Sequence, residues 1–328
     1  MSTALILAPA GLSLTESERR FFHDADPWGF IVFARNIDNP AQVLALTDDL
    51  RATVGRNAVV LVDQEGGRVQ RLRAPHWREW MPPLDEAAIG NPRSFYLRYA
   101  LIADELRQVG IDVNCAPCCD VAIDTTHPFL RNRCLGTMPD AVVENARAAI
   151  AGHLAGGCLP VVKHAPGHGR ALQDSHMALP RVDTSLDDLL LSDFKAFSGV
   201  ADASMVMSAH VIYSCIDGEK PGTMSAAVID AMRAKIGLQG LLISDDLSMN
   251  ALSGTLADRT VKCLTAGCDI ALHCSGKMDE MIEVAGVARV LGNAALDRAN
   301  RALAQRPKAS TIDSSMLLAE YRALTGGA

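Results

Sequence analysis

The stretch Gly240-Leu-Leu-Ile-Ser-Asp-Asp-Leu-Ser-Met249 joins a short apolar run to a pair of carboxylates. The run 240–244 does not alternate polar with apolar residues, which is typical of a parallel strand that is covered on both faces. Asp245 and Asp246 follow directly, so both carboxylates should lie at the carboxyl end of that strand. The same kind of apolar run recurs along the chain and decides the predicted fold.

Eight such runs alternate with helix-like sequence, and capping-box patterns open two of the helical stretches, at Thr137-x-x-Asp140 and Thr184-x-x-Asp187. The runs are Ala4–Ala8, Phe30–Phe33, Ala58–Val62, Ile111–Asn114, Leu159–Lys163, Ser204–Ser208, Gly240–Ser244 and Asp269–Leu272. Eight βα repeats predict an α/β fold, a TIM-type (β/α)8 barrel in a single domain. An open nucleotide-binding sheet is disfavoured, because the first βα turn lacks Gly-x-Gly-x-x-Gly.

Length and composition fit this fold and exclude several classes of protein. The chain has 328 residues, of which 49 % are hydrophobic and 21 % charged, and its net charge is −7. This charge argues against nucleic acid or an anionic membrane as a partner, and no apolar run reaches the roughly 18–20 residues of a spanning helix. The short apolar N terminus has no preceding basic residue, so it predicts a strand and not a secretory signal. We therefore expect a soluble, cytoplasmic monomer.

The chain divides at one compositional break. Residues 1–305 are predicted to form the catalytic barrel, and residues 306–328 a loosely attached C-terminal extension. Nine cysteines, several inside apolar runs, indicate reduced thiols and not a disulfide framework. The cluster Cys115-x-x-Cys118-Cys119 has no second pair at zinc-site spacing, so we interpret it as part of a strand end.

Ionisable residues follow five of the eight predicted strands, at the positions where barrel enzymes carry their active sites. They are Asp63-Gln-Glu65, Asp120, Lys163-His164, His210 and Asp245-Asp246. A purely structural barrel would have little reason to gather such groups on one face. The pattern therefore predicts an enzyme, with Asp245 as a nucleophile or general base and Asp246 holding the loop or a substrate hydroxyl.

The segment from Lys163 to His176 contains three histidines and allows two interpretations. In the first, His164, His168 and His176 hold a metal ion, but their spacing is not that of a helical site and Lys163 would repel a cation. In the second, Lys163 and His164 donate hydrogen bonds to sugar hydroxyls. Asp174 then orients the imidazole of His176, which moves a proton.

A third cluster, Asp63-Gln-Glu-Gly-Gly-Arg-Val-Gln-Arg71, follows the strand at 58–62. Its Gly-Gly pair allows a tight turn after the acidic residues, and the sequence lacks the Lys-Ser/Thr of a phosphate-binding loop. Asp63 can accept hydrogen bonds from two hydroxyls, and Arg71 can donate to others. The cluster thus favours a sugar-binding site.

Together these clusters resemble family 3 glycoside hydrolases, specifically the single-domain bacterial β-N-acetylhexosaminidases. The matching pieces are Asp63-Gln-Glu-Gly-Gly-Arg-Val-Gln-Arg, Asp112-Val-Asn-Cys-Ala-Pro, Lys163-His-Ala-Pro-Gly-His-Gly, Asp174-Ser-His and Ile243-Ser-Asp-Asp-Leu-Ser-Met. The resemblance implies that Asp245 is the nucleophile and that His176 is the acid/base with Asp174 as its partner. It also implies sugar-binding roles for Asp63, Arg71, Arg133, Lys163 and His164.

The chain departs from the family pattern near the site. Cys115 and Ala165 stand where the family usually has Phe, and an aromatic residue is missing at Cys134 or Leu135. These smaller side chains predict looser packing around the pocket without touching a proposed catalytic atom.

The resemblance implies a retaining enzyme of cell-wall recycling that acts on N-acetylglucosaminyl-1,6-anhydro-N-acetylmuramic acid, without a metal or other cofactor. Three alternatives stay open on the sequence alone. They are a phosphorylase of the same family, a metal-dependent barrel hydrolase, and a sugar-binding barrel that has lost catalysis.

Overall fold

The barrel strands of the computed structural model overlap all eight predicted runs. The structure describes residues 2–172, 179–307 and 312–327. The strands are β1 (Thr3–Leu7), β2 (Pro27–Val32), β3 (Val59–Val62), β4 (Val113–Asn114), β5 in two parts (Leu159–Pro160 and Val162–Ala165), β6 (Met205–Ser208), β7 (Leu241–Asp246) and β8 (Ile270–His273). Their short, β-branched sequences are buried on both faces, as expected of parallel strands inside a barrel.

The ring of parallel strands closes on itself at β5. The first part of β5 pairs with β4, and its second part pairs with β6. Between the two parts, Val161 donates its backbone N–H to the carbonyl of Asn114 at 2.9 Å, so the split does not open the ring. β1 pairs with β2 on one side and with β8 on the other. The observed architecture is therefore the predicted TIM-type barrel.

The helices lie outside this ring. They are α1 (Glu16–Ala25), α2 (Pro40–Val54), α3 (Pro83–Ala87), α4 (Pro92–Gln108), α5 (Pro128–Arg131), α6 (Pro139–Gly156), α7 (Leu186–Leu191), α8 (Asp193–Ser198), α9 (Ala226–Ala231), α10 (Leu256–Ala266), α11 (Met278–Val287), α12 (Asn293–Ala304) and α13 (Ser314–Thr325). Short 3₁₀ turns occur at Ala34–Asn36 and Gly222–Met224, and a π turn at Met232–Ile236 follows α9. Outside the ring, Gln64–Gly66 pairs with Val69–Gln70, and Arg181–Val182 pairs with Ile212–Tyr213.

Two predicted helix caps are displaced by one residue. α6 begins after Met138, whose side chain makes no capping bond, and proline occupies its first position. α7 begins after Ser185, whose Oγ accepts the backbone N–H of Asp188. The patterns Thr137-x-x-Asp140 and Thr184-x-x-Asp187 were therefore wrong in register. In each case the residue after the predicted threonine adopts the extended cap conformation.

The C-terminal segment is packed firmly on the barrel, so the expectation of loose attachment is wrong. Helix α13 lies against α4, and its Tyr321 is 2 % exposed. The Tyr321 hydroxyl donates to Oε2 of Glu86 at 2.8 Å, and its ring meets Trp80 edge-on. Arg93 also donates two hydrogen bonds to Glu320. The segment is attached because α13 is amphipathic and buries an aromatic residue. The polar composition near residue 306 gave no indication of this packing.

The nine cysteines are unpaired, and Cys115, Cys118 and Cys119 are buried beside β5. The backbone of this segment pairs with Lys163, since Cys119 donates its N–H to the Lys163 carbonyl at 2.6 Å. Its interpretation as a strand end is therefore confirmed. Among the described residues, we find no helix with the length and apolarity needed to cross a membrane.

Candidate active site

A cavity of about 250 Å³ opens at the carboxyl ends of the barrel strands. Asp245 and the five residues predicted to bind sugar all line it, although they are spread widely over the sequence. Apolar side chains such as Ile31, Met207 and Leu272 complete the lining. The barrel has thus brought the separate sequence clusters into one pocket.

Lys163, on β5, joins two carboxylates in this pocket. Its ammonium nitrogen donates to Oδ1 of Asp63 at 2.8 Å and lies 2.6 Å from Oε1 of Glu65. Burial by itself would lower the pKa of the ammonium, but Asp63 and Glu65 raise it above its ordinary value. Lys163 is therefore a fixed cation at neutral pH.

Glu65 also anchors Arg133 through two parallel hydrogen bonds. Nε of Arg133 donates to Oε2 at 2.9 Å, and Nη2 donates to Oε1 at 2.7 Å. Burial alone would raise the pKa of Glu65, but Arg133 and Lys163 lower it to about 2. This forked geometry fixes the plane of the guanidinium group as well as its charge.

Asp63 and Arg71 form a second, more open pair. Nη2 of Arg71 donates to Oδ2 of Asp63 at 3.2 Å, and the guanidinium carbon lies 5.5 Å from the centre of the Phe33 ring. Burial would raise the pKa of Asp63, but Lys163 and Arg71 hold it well below its ordinary value. Within the described part of the chain, Nε of Arg71 has no hydrogen-bond partner. The pair offers an ionised acceptor and a guanidinium donor to a ligand in the pocket.

His164 is oriented by Asp120, which follows β4. Nδ1 of His164 lies 2.8 Å from Oδ2 of Asp120, and Nε2 lies 3.3 Å from Nη2 of Arg133. Because the carboxylate accepts and the guanidinium donates, the contacts assign the imidazole hydrogen to Nδ1. Burial would raise the pKa of Asp120, but His164 lowers it to about 2.

His168 lies beside His164, with a distance of 6.0 Å between the ring centres. Its backbone N–H donates to Oδ1 of Asp120 at 2.6 Å. Its side chain is buried, and burial lowers its pKa to about 4, so it is neutral near pH 7. Neither ring nitrogen has a hydrogen-bond partner among the described residues.

Asp245 lies near the end of β7 and lines the pocket. Burial would raise its pKa, but the field of His210 and His164 lowers it below the ordinary value. The backbone N–H of Asp246 contributes to this lowering by donating to Oδ1 at 2.8 Å. Asp245 therefore presents an ionised carboxylate to the cavity at neutral pH.

Asp246 has a different environment from its neighbour. Its carboxylate accepts from the hydroxyl of Ser248 at 2.6 Å and from the backbone N–H of Cys274 at 3.1 Å. Its carbonyl lies 2.9 Å from Nε2 of His210. These contacts connect the loop after β7 to the end of β8, as expected for a residue that holds the loop.

The predicted acid/base pair, Asp174 and His176, lies outside the described residues. The metal site predicted as an alternative also needs His176. Of its other two members, His164 already contacts Asp120 and Arg133 through its two ring nitrogens.

Three residues of the site were missing from the predicted set: Glu65, Asp120 and His168. Glu65 and Asp120 were visible as strand-end carboxylates, but the sequence did not show which cations they hold. His168 stood in the histidine-rich segment, where it was considered only as a metal ligand. Its burial in the pocket wall depends on contacts with distant parts of the chain, such as the edge-on packing against Phe129.

A family model matches most of the length of the chain. The model of the glycosyl hydrolase family 3 N-terminal domain matches residues 12–305. The chain belongs to glycosyl hydrolase family 3. As a member of family 3 it is a glycoside hydrolase, and its substrates are carbohydrates.

Individual relatives of this family 3 chain cover most of its length. A β-hexosaminidase from Pseudomonas aeruginosa is 34 % identical over 296 residues, which are 88 % of each chain. A β-hexosaminidase from Methylococcus capsulatus is 35 % identical over 320 residues, covering 94 % of this chain and 93 % of that one. The solved structure of NagZ from Neisseria gonorrhoeae in complex with N-trifluoroacetyl-D-glucosamine superposes with a TM-score of 0.86 at 29 % identity. That superposition covers 99 % of this chain and 97 % of the other.

Proposed function

We propose that the protein is an exo-acting, retaining β-N-acetylglucosaminidase of peptidoglycan recycling. It removes the non-reducing N-acetylglucosamine from N-acetylglucosaminyl-1,6-anhydro-N-acetylmuramic acid, with or without a stem peptide, in the cytoplasm. The observation that carries the proposal is the ionised Asp245 in a small pocket with Asp63, Lys163 and Arg133. Relatives named β-hexosaminidase, and a neighbouring structure that holds a glucosamine derivative, support the class of substrate.

The size of the pocket supports action at a chain end. Its volume of about 250 Å³ is below the range of about 300–1,000 Å³ that is usual for drug-sized ligands. A cavity of this size suits one sugar ring and not a long stretch of glycan. We therefore assign it to the terminal N-acetylglucosamine.

The charged lining is suited to sugar hydroxyls, because each hydroxyl both donates and accepts. Asp63 accepts, while Lys163, Arg71 and Arg133 donate. These groups already form ion pairs with one another and with Glu65, so they stay in place when the substrate enters. Such a prearranged set lowers the entropy cost of binding.

The proposed reaction is a double displacement. The Asp245 carboxylate attacks the anomeric carbon while His176 donates a proton to the departing glycosidic oxygen, which breaks the glycosidic bond. A glycosyl-aspartate ester results. Water then attacks the anomeric carbon, His176 takes its proton, and the ester bond breaks to release N-acetylglucosamine with retained configuration and to restore Asp245.

His176 replaces the second carboxyl that retaining glycosidases usually employ. An imidazole has an ordinary pKa near 6.5, so it can give and take a proton around neutral pH. Asp174 is proposed to accept the hydrogen of one ring nitrogen, which leaves the other nitrogen to act on the substrate.

Product analysis on N-acetylglucosaminyl-anhydromuramic acid, with and without inorganic phosphate, tests the proposal. We expect free N-acetylglucosamine in both conditions, with the β anomer first by time-resolved NMR and unchanged rates in the presence of a chelator. Formation of a sugar phosphate would indicate a phosphorylase, and loss of activity with the chelator a metal-dependent hydrolase. Initial formation of the α anomer would exclude Asp245 as a nucleophile.

A further inference from the structure

A buried cluster of three potential metal ligands lies next to the sugar pocket. The side-chain ligand atoms of Cys118, Asp120 and His164 all lie within 4.8 Å of one another. The Cys118 thiol donates to Oδ2 of Asp120 at 3.2 Å, and Nδ1 of His164 is 2.8 Å from the same oxygen. Two side-chain hydrogens therefore point to this carboxylate oxygen, together with the backbone N–H of His164 at 3.4 Å. A single cation could take the place of the two side-chain hydrogens.

We propose that Cys118, Asp120 and His164 bind a thiophilic divalent cation, such as Zn²⁺, and that this cation inhibits the enzyme. Thiolate, imidazole and carboxylate are the three ligand types that zinc takes in proteins. Three protein ligands leave a fourth tetrahedral position for water. The cation takes no part in the proposed reaction, but its site shares His164 with the sugar pocket.

The proton and charge balance of this site favours a divalent cation. In the metal-free protein the Cys118 thiol carries its proton, because it donates to Oδ2 of Asp120. On binding, the sulfur–hydrogen bond is exchanged for a sulfur–metal bond and one proton is released to solvent. The hydrogen of His164 moves from Nδ1 to Nε2. The charge of the three side chains together with the cation then becomes zero, instead of −1.

The charged groups around Cys118, Asp120 and His164 add little net repulsion of a bound cation. His168 lies beside His164, with 6.0 Å between the ring centres. The positive charge of Arg133 is paired with Glu65 through two hydrogen bonds. The ammonium of Lys163, which precedes His164 in the chain, is likewise paired, with Asp63 and Glu65.

The inhibition follows from the change of tautomer in His164. In the metal-free protein, Nε2 of His164 faces Nη2 of Arg133 at 3.3 Å as an acceptor. With the metal on Nδ1, Nε2 carries a hydrogen and two donors face each other. Arg133 or the ring must then move, which disrupts the sugar contacts. This step rests on the proposed sugar-binding roles of His164 and Arg133, whereas metal binding itself does not.

Cobalt binding to the full chain tests the site without any substrate. Co²⁺ bound by a thiolate gives a near-ultraviolet charge-transfer band, and we expect one equivalent to produce it. Cys118→Val should abolish the band, whereas Cys215→Ser should keep it, because Cys215 is an exposed thiol away from the cluster. Persistence of the band in Cys118→Val would overturn the proposal. If circular dichroism shows that Cys118→Val is unfolded, Cys118→Ser is used, and the same loss of the band is required.

Zinc inhibition tests the coupling to the sugar pocket. We expect Zn²⁺ to inhibit hydrolysis of a nitrophenyl N-acetylglucosaminide and a chelator to restore it. Cys118→Val should raise the inhibition constant at least about tenfold, with no such rise in Cys215→Ser. Equal inhibition of all three proteins would overturn the inhibitory role. An enzyme that cleaves no N-acetylglucosaminide would contradict the proposed function, while the cobalt experiment would still decide the metal site.

Discussion

The ammonium nitrogen of Lys163 lies 2.6 Å from Oε1 of Glu65, a carboxylate with no exposed surface. The same carboxylate holds Arg133 in a forked pair. Glu65 thus connects two residues that are proposed to bind sugar. We infer that it is a positioning residue, since its own oxygens are already engaged by these cations.

Glu65→Gln should lower both stability and substrate affinity. Loss of the charge leaves two buried cations with one fewer anion, which should cost about 3 kcal/mol of unfolding free energy in urea titrations. KM should rise about tenfold or more with a smaller change in kcat, because the sugar contacts lose their fixed geometry. Glu79→Gln is the control, since Glu79 is half exposed and its ion pair with Arg73 lies at the surface. A fall in kcat at constant KM would contradict the positioning role.

Asp245→Ala should remove nearly all activity, by at least about 1,000-fold in kcat. The reason is the loss of the proposed nucleophile, because the neighbouring carboxylate of Asp246, which also lines the pocket, is already engaged by Ser248 and by the backbone of Cys274. The measurement is the rate of nitrophenol release. Asp230→Ala, at an exposed position on α9, should keep the native rate. Substantial residual turnover in Asp245→Ala would refute a covalent role.

His176→Ala should act selectively on substrates with poor leaving groups. Nitrophenol departs without protonation, so the first step on a nitrophenyl glycoside should be largely spared, whereas the natural disaccharide needs the proton. The two substrates are compared by kcat/KM. His23→Ala, at an exposed surface position, should leave both values unchanged. An equal loss on both substrates would argue against the acid/base assignment.

Gly66→Ala should be more destabilising than Gly90→Ala, although both glycines have positive φ. At Gly66 a Cβ would lie 1.9 Å from Nη2 of Arg98, whereas nothing lies within 4 Å at Gly90. Arg98 cannot easily move, because it is bonded to Glu86 and to the Glu65 carbonyl. Gly90→Ala should cost about 1–2 kcal/mol from backbone strain alone. Equal unfolding free energies for the two variants would show that the Arg98 side chain moves aside to accommodate the new methyl group.

Stability should fall as the pH is lowered from about 6.5 towards 4. Burial lowers the pKa of His153 to about 3 and that of His168 to about 4. The unfolded chain, with ordinary histidine pKa values, takes up these protons first, so acid favours unfolding. Each histidine contributes at most about 1.4 kcal/mol per pH unit.

Urea titrations across this range provide the measurement. His153→Gln should flatten the pH dependence, and His23→Gln, at an exposed position, should not. An unchanged slope in His153→Gln would mean that His153 is not held neutral in the folded protein.

The barrel was predictable because each strand carries its own local signal, a short and mainly apolar run followed by helix-like sequence. The register of the caps of α6 and α7 was missed, since Thr137 and Met138, or Thr184 and Ser185, are adjacent candidates. Pro139 at the first position of α6 places its cap at Met138, and the side chain of Ser185 caps α7. The attachment of α13 was missed for a related reason. Burial of Tyr321 depends on Trp80 and Glu86, which are remote in sequence.

The sequence by itself determined the order of strands and the face on which the ionisable residues gather, since strand ends are local features. Only the tertiary structure decided which charges pair. Lys163 and Asp63 are separated by 100 positions, and Arg133 and Glu65 by 68. Closure of the ring brings these side chains together and removes water from around them. In that environment an unpaired charge is costly. The three-dimensional arrangement therefore determines which groups pair, and the pairing determines the protonation state of each group. A local sequence pattern contains no information about such distant partners.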